Sequence, residues 1–221
     1  MTQLVDISHQ ITAGMTTYPG LPGPEIDDHL TFEDSRQRYA PGTEFRIGRI
    51  SMVANTGTYL DTPAHRYRDG ADLADLDLEK VAGLPGLVVE PQEREIGPEA
   101  FKGLDVEGRA VLIRTGWDRH WRTEAYGSPE HPFLSEAAAR ALVEAGAALV
   151  GIDSVNIDDT SEAAGGARPA HSALLAAGVP VVEHLCDLGR LPAEGFAFFA
   201  VPVKVRGLAT FPVRAFAMVG A

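Results

Sequence analysis

A helix followed by a short apolar strand is predicted twice in the second half of the chain, and this pattern limits the folds available to it. Residues 135–145 predict the first helix, since Ser135 suits the N-cap and Gly146 stands where a helix ends. The aliphatic run 148–152 then predicts a strand. A second unit joins a short helix at 172–177 to a strand at 179–182. These units indicate a mixed α/β fold.

Strands outnumber helices in the rest of the sequence. The stretch 14–24 contains two Pro-Gly pairs and predicts a loop with defined turns. Short apolar or alternating runs predict strands at 45–53, 87–89, 110–113, 196–205 and 211–218. Because no internal repeat, linker or low-complexity tract divides the sequence, residues 1–221 are expected to form a single domain of the α/β class.

The charge and cysteine content exclude several classes of protein. The chain has 19 Lys and Arg against 31 Asp and Glu, a formal net charge of −12. It therefore lacks the basic surface that nucleic acids or anionic membranes require. The single cysteine, Cys186, rules out a disulfide within the chain and a cysteine-rich zinc site. With no apolar run of membrane-spanning length and no leader pattern, we expect a cytoplasmic protein.

Chemistry-bearing side chains are densest in the segment 55–65. In an extended strand, Asn55, Tyr59 and Asp61 would point to one face. Pro63 would turn the chain and return His65 to the same cavity. From these residues alone, a polar strand end with a capping aspartate and a surface histidine is an equally good interpretation.

A second candidate pair is His171 with Glu183. The sequence between them reads as helix, turn and strand, which would place both side chains at one edge of a sheet. Together with an aspartate, they form an oxygen-and-nitrogen set suited to Zn²⁺ or Mn²⁺. The alternative is a histidine that caps a helix beside an exposed glutamate.

Other reactive residue types are weaker candidates. Trp117, His120 and Trp121 follow a strand and would either wall an aromatic substrate pocket or anchor a loop. Cys186 has no nearby base in the sequence and is interpreted as a small buried residue. Three histidines without a visible partner are interpreted as structural or surface residues: His9, His29 and His131.

The segment 55–65 also resembles the His-x-Gly-Thr-His-x-Asp-x-Pro-x-His motif of the cyclase family, which includes kynurenine formamidase-like and isatin hydrolase-like proteins. Here it reads Asn-Thr-Gly-Thr-Tyr-Leu-Asp-Thr-Pro-Ala-His. Further similarities follow in the family's order at 5–9, 18–20, 114–117, 151–154, 169–171 and 211–214. The resemblance therefore spans nearly the whole chain.

This resemblance implies a compact fold of the swivelling β/β/α type and a homo-oligomer, either a dimer or a tetramer. It implies a metal-dependent hydrolase site in which Asp61 takes the place of the bridging carboxylate. His65 falls at the position of the catalytic acid and base, and His171 and Glu183 match the distal metal ligands. Tyr18 falls at an aromatic position that contacts substrate.

Two motif histidines are replaced here, by Asn55 and Tyr59. A carboxamide oxygen is a weaker ligand than an imidazole, and a phenol must first lose a proton with a pKa of about 10. We therefore predict one divalent ion, zinc or manganese, held by the distal ligands and the motif aspartate, and do not favour a second ion. Asn55, Tyr59, Tyr18 and Trp117 are predicted to contact a small, aromatic substrate.

The function that follows is hydrolysis of an amide or cyclic amide, an attack on a carbon–nitrogen bond other than a peptide bond, with His65 as general acid and base. The first alternative is a cyclase or dehydratase-type lyase that uses His65 and Tyr59 without a two-metal centre. The second alternative is a binding homologue that has lost catalysis.

Overall fold

The computed structural model describes residues 2–220. Its α-helices are α1 (Phe32–Ser35), α2 (Glu136–Glu144) and α3 (Pro169–Ala176). Its strands are β1 (Gln3–Asp6), β2 (Glu25–Leu30), β3 (Ile47–Ser51), β4 (Tyr59–Asp61), β5 (Ala82–Val89), β6 (Glu95–Ile96), β7 (Ala110–Ile113), β8 (Phe133–Leu134), β9 (Leu149–Ile152), β10 (Val181–Glu183), β11 (Glu194–Phe199), β12 (Thr210–Pro212) and β13 (Phe216–Val219).

One mixed sheet of nine strands organises the chain, in the order β1-β13-β11-β5-β7-β9-β10-β4-β12. The four central strands, β5, β7, β9 and β10, are parallel, and the strands on both flanks are antiparallel. The helix–strand units of the sequence supply β9 and β10. The expectation of a single α/β domain is confirmed.

The core lies on both faces of this sheet, and β7 shows how the sequence divides it. Val111 and Ile113 pack with the buried face of α2 and α3, while Leu112 packs on the opposite side with Phe198. All four β7 residues are buried. A strand covered on both faces must be apolar throughout, which is why its sequence is a continuous aliphatic run.

The two longer helices follow the sequence closely. Ser135 caps α2, its hydroxyl accepting a hydrogen bond from Ala138 N at 3.1 Å, and Gly146 follows with φ of +80°. Helix α3 begins three residues before the predicted start, because Pro169 occupies its first turn, where a missing N–H costs nothing. Among the described helices, none is long and apolar enough to span a bilayer.

Two predicted strands near the C-terminus are wrong in extent. The strand predicted at 196–205 ends at Phe199, and Pro202, which cannot donate to a ladder, follows outside the sheet. The strand predicted at 211–218 is two strands, β12 and β13, which pair with different partners.

The strand predicted at 45–53 forms, as β3, but it does not enter the core. It pairs with β2 in a separate two-stranded sheet. Every residue of β3 is exposed, including Ile47 at 47% and Ile50 at 49%. We call residues 25–51 the arm. Leu30 in it is buried, but four of its apolar side chains are 45% to 51% exposed among residues 2–220: Ile26, Phe45, Ile47 and Ile50.

Candidate metal centre and active site

Three adjacent strands at one edge of the sheet position four polar side chains. Tyr59 on β4 lies opposite Glu183 on β10, and Asp61 lies opposite Thr210 on β12. Directly opposed residues share a face in an antiparallel pair, as do residues two apart on one strand. All four side chains therefore converge on one face. The convergence of Tyr59 and Asp61 was predicted, although the strand starts only at Tyr59.

The turn after β4 returns His65 to the same face, as predicted. Residues Pro63–His65 form one turn of 3₁₀ helix, and His65 N donates to Thr62 O at 2.9 Å. Gly70 closes the following loop against this turn. A Cβ on Gly70 would lie 2.6 Å from the carbonyl carbon of Pro63, so no other residue fits there without a backbone shift.

Two buried polar atoms at the centre have no hydrogen-bond partner among residues 2–220: Asp61 Oδ2 and His171 Nε2. They lie 3.6 Å apart, and Glu183 Oε1 is also 3.6 Å from His171 Nε2. Buried polar atoms are normally satisfied, and a bound cation would satisfy this acceptor oxygen and the neighbouring imidazole nitrogen together. The residues present fit a divalent metal ion.

Asp158 holds His171 from behind. Its Oδ2 lies 2.6 Å from His171 Nδ1, and its carboxylate also accepts from the N–H groups of Ala170 and His171 at the start of α3. A metal-ligating histidine typically donates its second N–H to a carboxylate in this way. Burial alone would lower the pKa of His171, but Glu183, Asp158 and Asp61 raise it to about 10.

Glu183 is fixed through both of its oxygens. The amide of Ile157 donates to Oε1 at 2.6 Å, and the Tyr59 hydroxyl donates to Oε2 at 2.7 Å. Burial, together with Glu183 and Asp61, raises the pKa of Tyr59 well above its ordinary value. The phenol is therefore neutral in this arrangement and donates its hydrogen to Glu183.

Two further buried side chains extend this contact. His184 Nε2 lies 3.2 Å from the Tyr59 oxygen, and the Tyr126 oxygen lies 2.7 Å from His184 Nδ1. Burial lowers the pKa of His184 to about 3, so its ring is neutral. Neither residue was predicted from the sequence, because these contacts join distant positions: His184 and Tyr59 are 125 residues apart, and Tyr126 and His184 are 58 apart.

Thr210 sets the tautomer of His65. Its hydroxyl donates its one hydrogen to Asp61 Oδ1, so it must accept in its 3.0 Å contact with His65 Nδ1. In the neutral ring the hydrogen then sits on Nδ1, which leaves the lone pair of Nε2 free. With its side chain 36% exposed, His65 is the accessible base of the cluster.

A cavity of about 320 Å³ opens over this cluster. Six of the eight predicted site residues line it: Tyr18, Asn55, Tyr59, His65, His171 and Glu183. Asp61 lies beneath, fully buried. The possible ligand atoms of Asp61, His65 and His171 lie within 4.8 Å of one another. This set differs from the ligands predicted from the sequence by having His65 in place of Glu183.

Comparison with known proteins shows which family has this sequence and fold. The Cyclase family matches residues 5–159. The chain belongs to the Cyclase family. It is similar to a kynurenine formamidase of Bacillus cereus, with 28% identity over 97% of this chain and 96% of the relative. A kynurenine formamidase of Salinibacter ruber is 29% identical over 96% of this chain and 95% of the relative.

A solved structure of the same fold is isatin hydrolase A from Labrenzia aggregata bound to benzyl benzoate. It aligns with a TM-score of 0.84 and 25% identity, covering 100% of this chain and 94% of that one. The Cyclase-family fold predicted from the sequence is therefore confirmed.

Trp117 does not reach the cavity of this Cyclase-family chain, contrary to expectation. Its indole nitrogen donates to the carbonyl of Tyr126 at 2.9 Å, and its ring packs on His120. The neighbouring Trp121 stacks on His9 with ring centroids 3.9 Å apart. The aromatic segment anchors a loop, which was the alternative interpretation of its sequence.

Proposed function

We propose that the protein is a metal-dependent hydrolase that cleaves the carbon–nitrogen bond of a small amide or cyclic amide. The observation that carries the proposal is the pair of buried atoms without partners, Asp61 Oδ2 and His171 Nε2, 3.6 Å apart at the base of the cavity. Relatives named kynurenine formamidase and isatin hydrolase support amide chemistry.

In this proposal one divalent ion, zinc or manganese, is held by Asp61, His171 and Glu183. Two carboxylates and one imidazole suit either metal. We place no second ion beside Tyr59, because its hydroxyl already donates to Glu183 and a protonated phenol is a poor metal ligand. When bound, such an ion would provide a water whose pKa is lowered toward about 7.

His65 moves the proton in the proposed reaction. Its Nε2 accepts a proton as water attacks the carbonyl carbon, and the same nitrogen then donates that proton to the departing amide nitrogen. Thr210 keeps the other ring nitrogen protonated throughout. Tyr18, Asn55 and Tyr59 line the space that remains for the substrate, and we assign them its binding.

Two arginines at the cavity favour substrates that carry a negative charge or an additional hydrogen-bond acceptor. Arg66 and Arg168 line it, and neither has a carboxylate within 4.0 Å among residues 2–220. Arg66 donates to Ser172 Oγ, and Arg168 donates to two backbone carbonyls. In a chain with net charge −12, such unpaired guanidinium groups favour an amide that bears a carboxylate or a further carbonyl.

The arm supports the expected homo-oligomer, a dimer or tetramer. Covering Ile26, Phe45, Ile47 and Ile50, each 45% to 51% exposed, against a second copy would remove apolar surface from water. Sedimentation velocity tests this. Ile50→Lys should shift the protein to a smaller species, while Leu78→Lys, at an exposed site outside the arm, should not.

A cytoplasmic location is the remaining part of the proposal, supported by the free thiol of Cys186, for which no disulfide partner exists in the chain. Fractionation of cells that produce the native protein tests it.

The experiment that tests the function measures metal and turnover together. Protein purified without chelator or a metal-affinity tag should contain about one equivalent of divalent metal by elemental analysis. It should hydrolyse an aryl formamide or a cyclic aryl amide with incorporation of oxygen from labelled water. His65→Ala should keep the metal and lose turnover. Full activity of metal-stripped protein would refute the proposal, and a product without labelled oxygen would favour a lyase.

A further inference from the structure

His184 is an unusual residue beside the metal centre. It is fully buried, and its backbone lies in the left-handed region with φ of +56°, which non-glycine residues rarely adopt. Its carbonyl accepts from the Thr58 hydroxyl at 2.5 Å, and its N–H donates to Ser154 O at 3.3 Å. A histidine in this strained conformation points to a role for its ring.

The number of hydrogens on each group determines which atom donates in each contact of the His184 ring. Tyr59 has one hydroxyl hydrogen, which it donates to the Glu183 carboxylate at 2.7 Å. His184 Nε2, 3.2 Å from the same hydroxyl oxygen, must therefore be the donor in that contact. Its Nδ1 then carries a lone pair, which accepts from the Tyr126 hydroxyl at 2.7 Å. The hydrogen bonds run from Tyr126 through His184 and Tyr59 to Glu183.

This direction determines where the Tyr59 hydrogen points. Because Nε2–H of His184 occupies one lone pair of the phenol oxygen, the hydroxyl hydrogen cannot turn toward His184. It stays on Glu183 Oε2, while the Ile157 amide holds Oε1. The carboxylate is thereby fixed with Oε1 3.6 Å from His171 Nε2.

We propose that His184 is a positioning residue that acts through the Tyr59 hydroxyl to preset the Glu183 carboxylate for a divalent cation. The inference rests on the proposed function, since it assigns Glu183 to the metal. Tyr126 donates to His184 Nδ1 and so keeps the ring hydrogen of His184 on Nε2. Partners outside the ligand set commonly change metal affinity by about 10- to 100-fold.

The test is a double-mutant cycle on metal affinity. The full chain is stripped with chelator and titrated with Zn²⁺ and, separately, Mn²⁺ by calorimetry. His184→Asn tolerates the left-handed backbone but is too short to reach Tyr59. Tyr59→Phe removes the donor to Glu183. We expect each variant to bind about 10-fold more weakly than the wild type. The double variant should bind like Tyr59→Phe alone, because His184 acts only through that hydroxyl.

Two further variants separate positioning from packing. His184→Gln places an amide N–H near the position of Nε2 and should restore most of the affinity. His131→Asn alters another fully buried histidine, whose partners are Pro132, Ser154 and Thr160, and should lower Tm without changing the metal Kd.

Additive losses in the double variant, or wild-type affinity in His184→Asn, would overturn the positioning role and leave the proposed function intact. Failure of the wild-type chain to bind either ion would overturn both.

Discussion

His171 is bound to Asp158 through its Nδ1 atom, 2.6 Å from Oδ2, so that its Nε2 atom faces the centre of the cluster. The same carboxylate accepts the backbone N–H groups of Ala170 and His171. One aspartate therefore ties the ring orientation of a proposed ligand to the first turn of helix α3. Rotation of the imidazole would require breaking this contact and leaving a buried carboxylate short of a donor.

We expect Asp158→Asn to weaken metal binding by about 10- to 100-fold, because the amide cannot accept all three N–H groups or hold the ring as a carboxylate does. Calorimetric titration of the stripped protein measures this loss. Asp159→Asn is the matched control, since Asp159 contacts Ser161 and Arg94 and not His171. Equal affinities for the two variants would contradict the role given to Asp158.

Thr210→Val should lower kcat by about 10-fold while substrate KM stays near the wild-type value. The valine cannot accept from His65 Nδ1, so the ring loses its preference for the tautomer with a free Nε2. Assays at saturating zinc or manganese separate this effect from metal loss. Thr62→Val makes the same chemical change where the hydroxyl contacts only Ala209 O, and its kcat should be unchanged. A kcat for Thr210→Val equal to that of Thr62→Val would refute the tautomer argument.

The parts of the site that the sequence predicts are those whose geometry is local. Tyr59 and Asp61 share a strand face, and one proline turn returns His65, so spacing alone brings them together. His171 and Glu183 were predictable because one helix–turn–strand unit connects them. His171 lies near the start of its helix and Glu183 at the end of its strand, and both points fall at the same edge of the sheet.

The remaining contacts depend on tertiary pairing. Thr210 meets Asp61 only because β12 adds to β4 at the sheet edge, 149 residues along the chain. Nothing local distinguishes Thr210 or Asp158 from other residues of their type. The strand predicted at 45–53 forms as β3, but its apolar run does not reveal that every residue of β3 is exposed among residues 2–220.

Gly70→Ala should reduce both stability and turnover, because its Cβ would lie 2.6 Å from the backbone of Pro63 and displace the turn that carries His65. We expect a loss of about 1–3 kcal/mol in the free energy of unfolding, as for overpacked sites. Chemical denaturation and the activity assay measure the two effects. Gly48→Ala on the arm meets only Asp27 O, at 3.9 Å, and should keep activity. Wild-type stability and activity of Gly70→Ala would contradict this prediction and show that the turn at Pro63 can shift without displacing His65.

Arg168→Met should raise KM for an aryl amide that bears a carboxylate and leave a neutral aryl amide nearly unaffected. The methionine keeps much of the apolar stem but removes the charge that faces the cavity. Steady-state kinetics on a matched pair of substrates measures the difference. Arg140→Met, on the exposed surface of α2 where it pairs with Glu136, is the control. Equal changes in KM for both substrates would exclude charge recognition by Arg168.

Acid should destabilise the protein partly through His9. Burial lowers the pKa of His9 to about 4, whereas the unfolded chain takes up that proton near its ordinary pKa of about 6.5. The unfolded state thus binds more protons between these values, so stability present above pH 6.5 is lost as pH falls toward 4. One full proton corresponds to about 1.4 kcal/mol per pH unit at most.

His9→Phe keeps an aromatic ring on Trp121, where the native rings stack 3.9 Å apart, and removes the titration. Its free energy of unfolding, measured by denaturant titration from pH 7 to 4, should therefore fall less steeply than that of the wild type. His29→Phe, on the exposed surface of the arm, should keep the wild-type slope. Parallel pH curves for His9→Phe and the wild type would mean that His9 becomes protonated without unfolding, because solvent reaches its ring in the folded state.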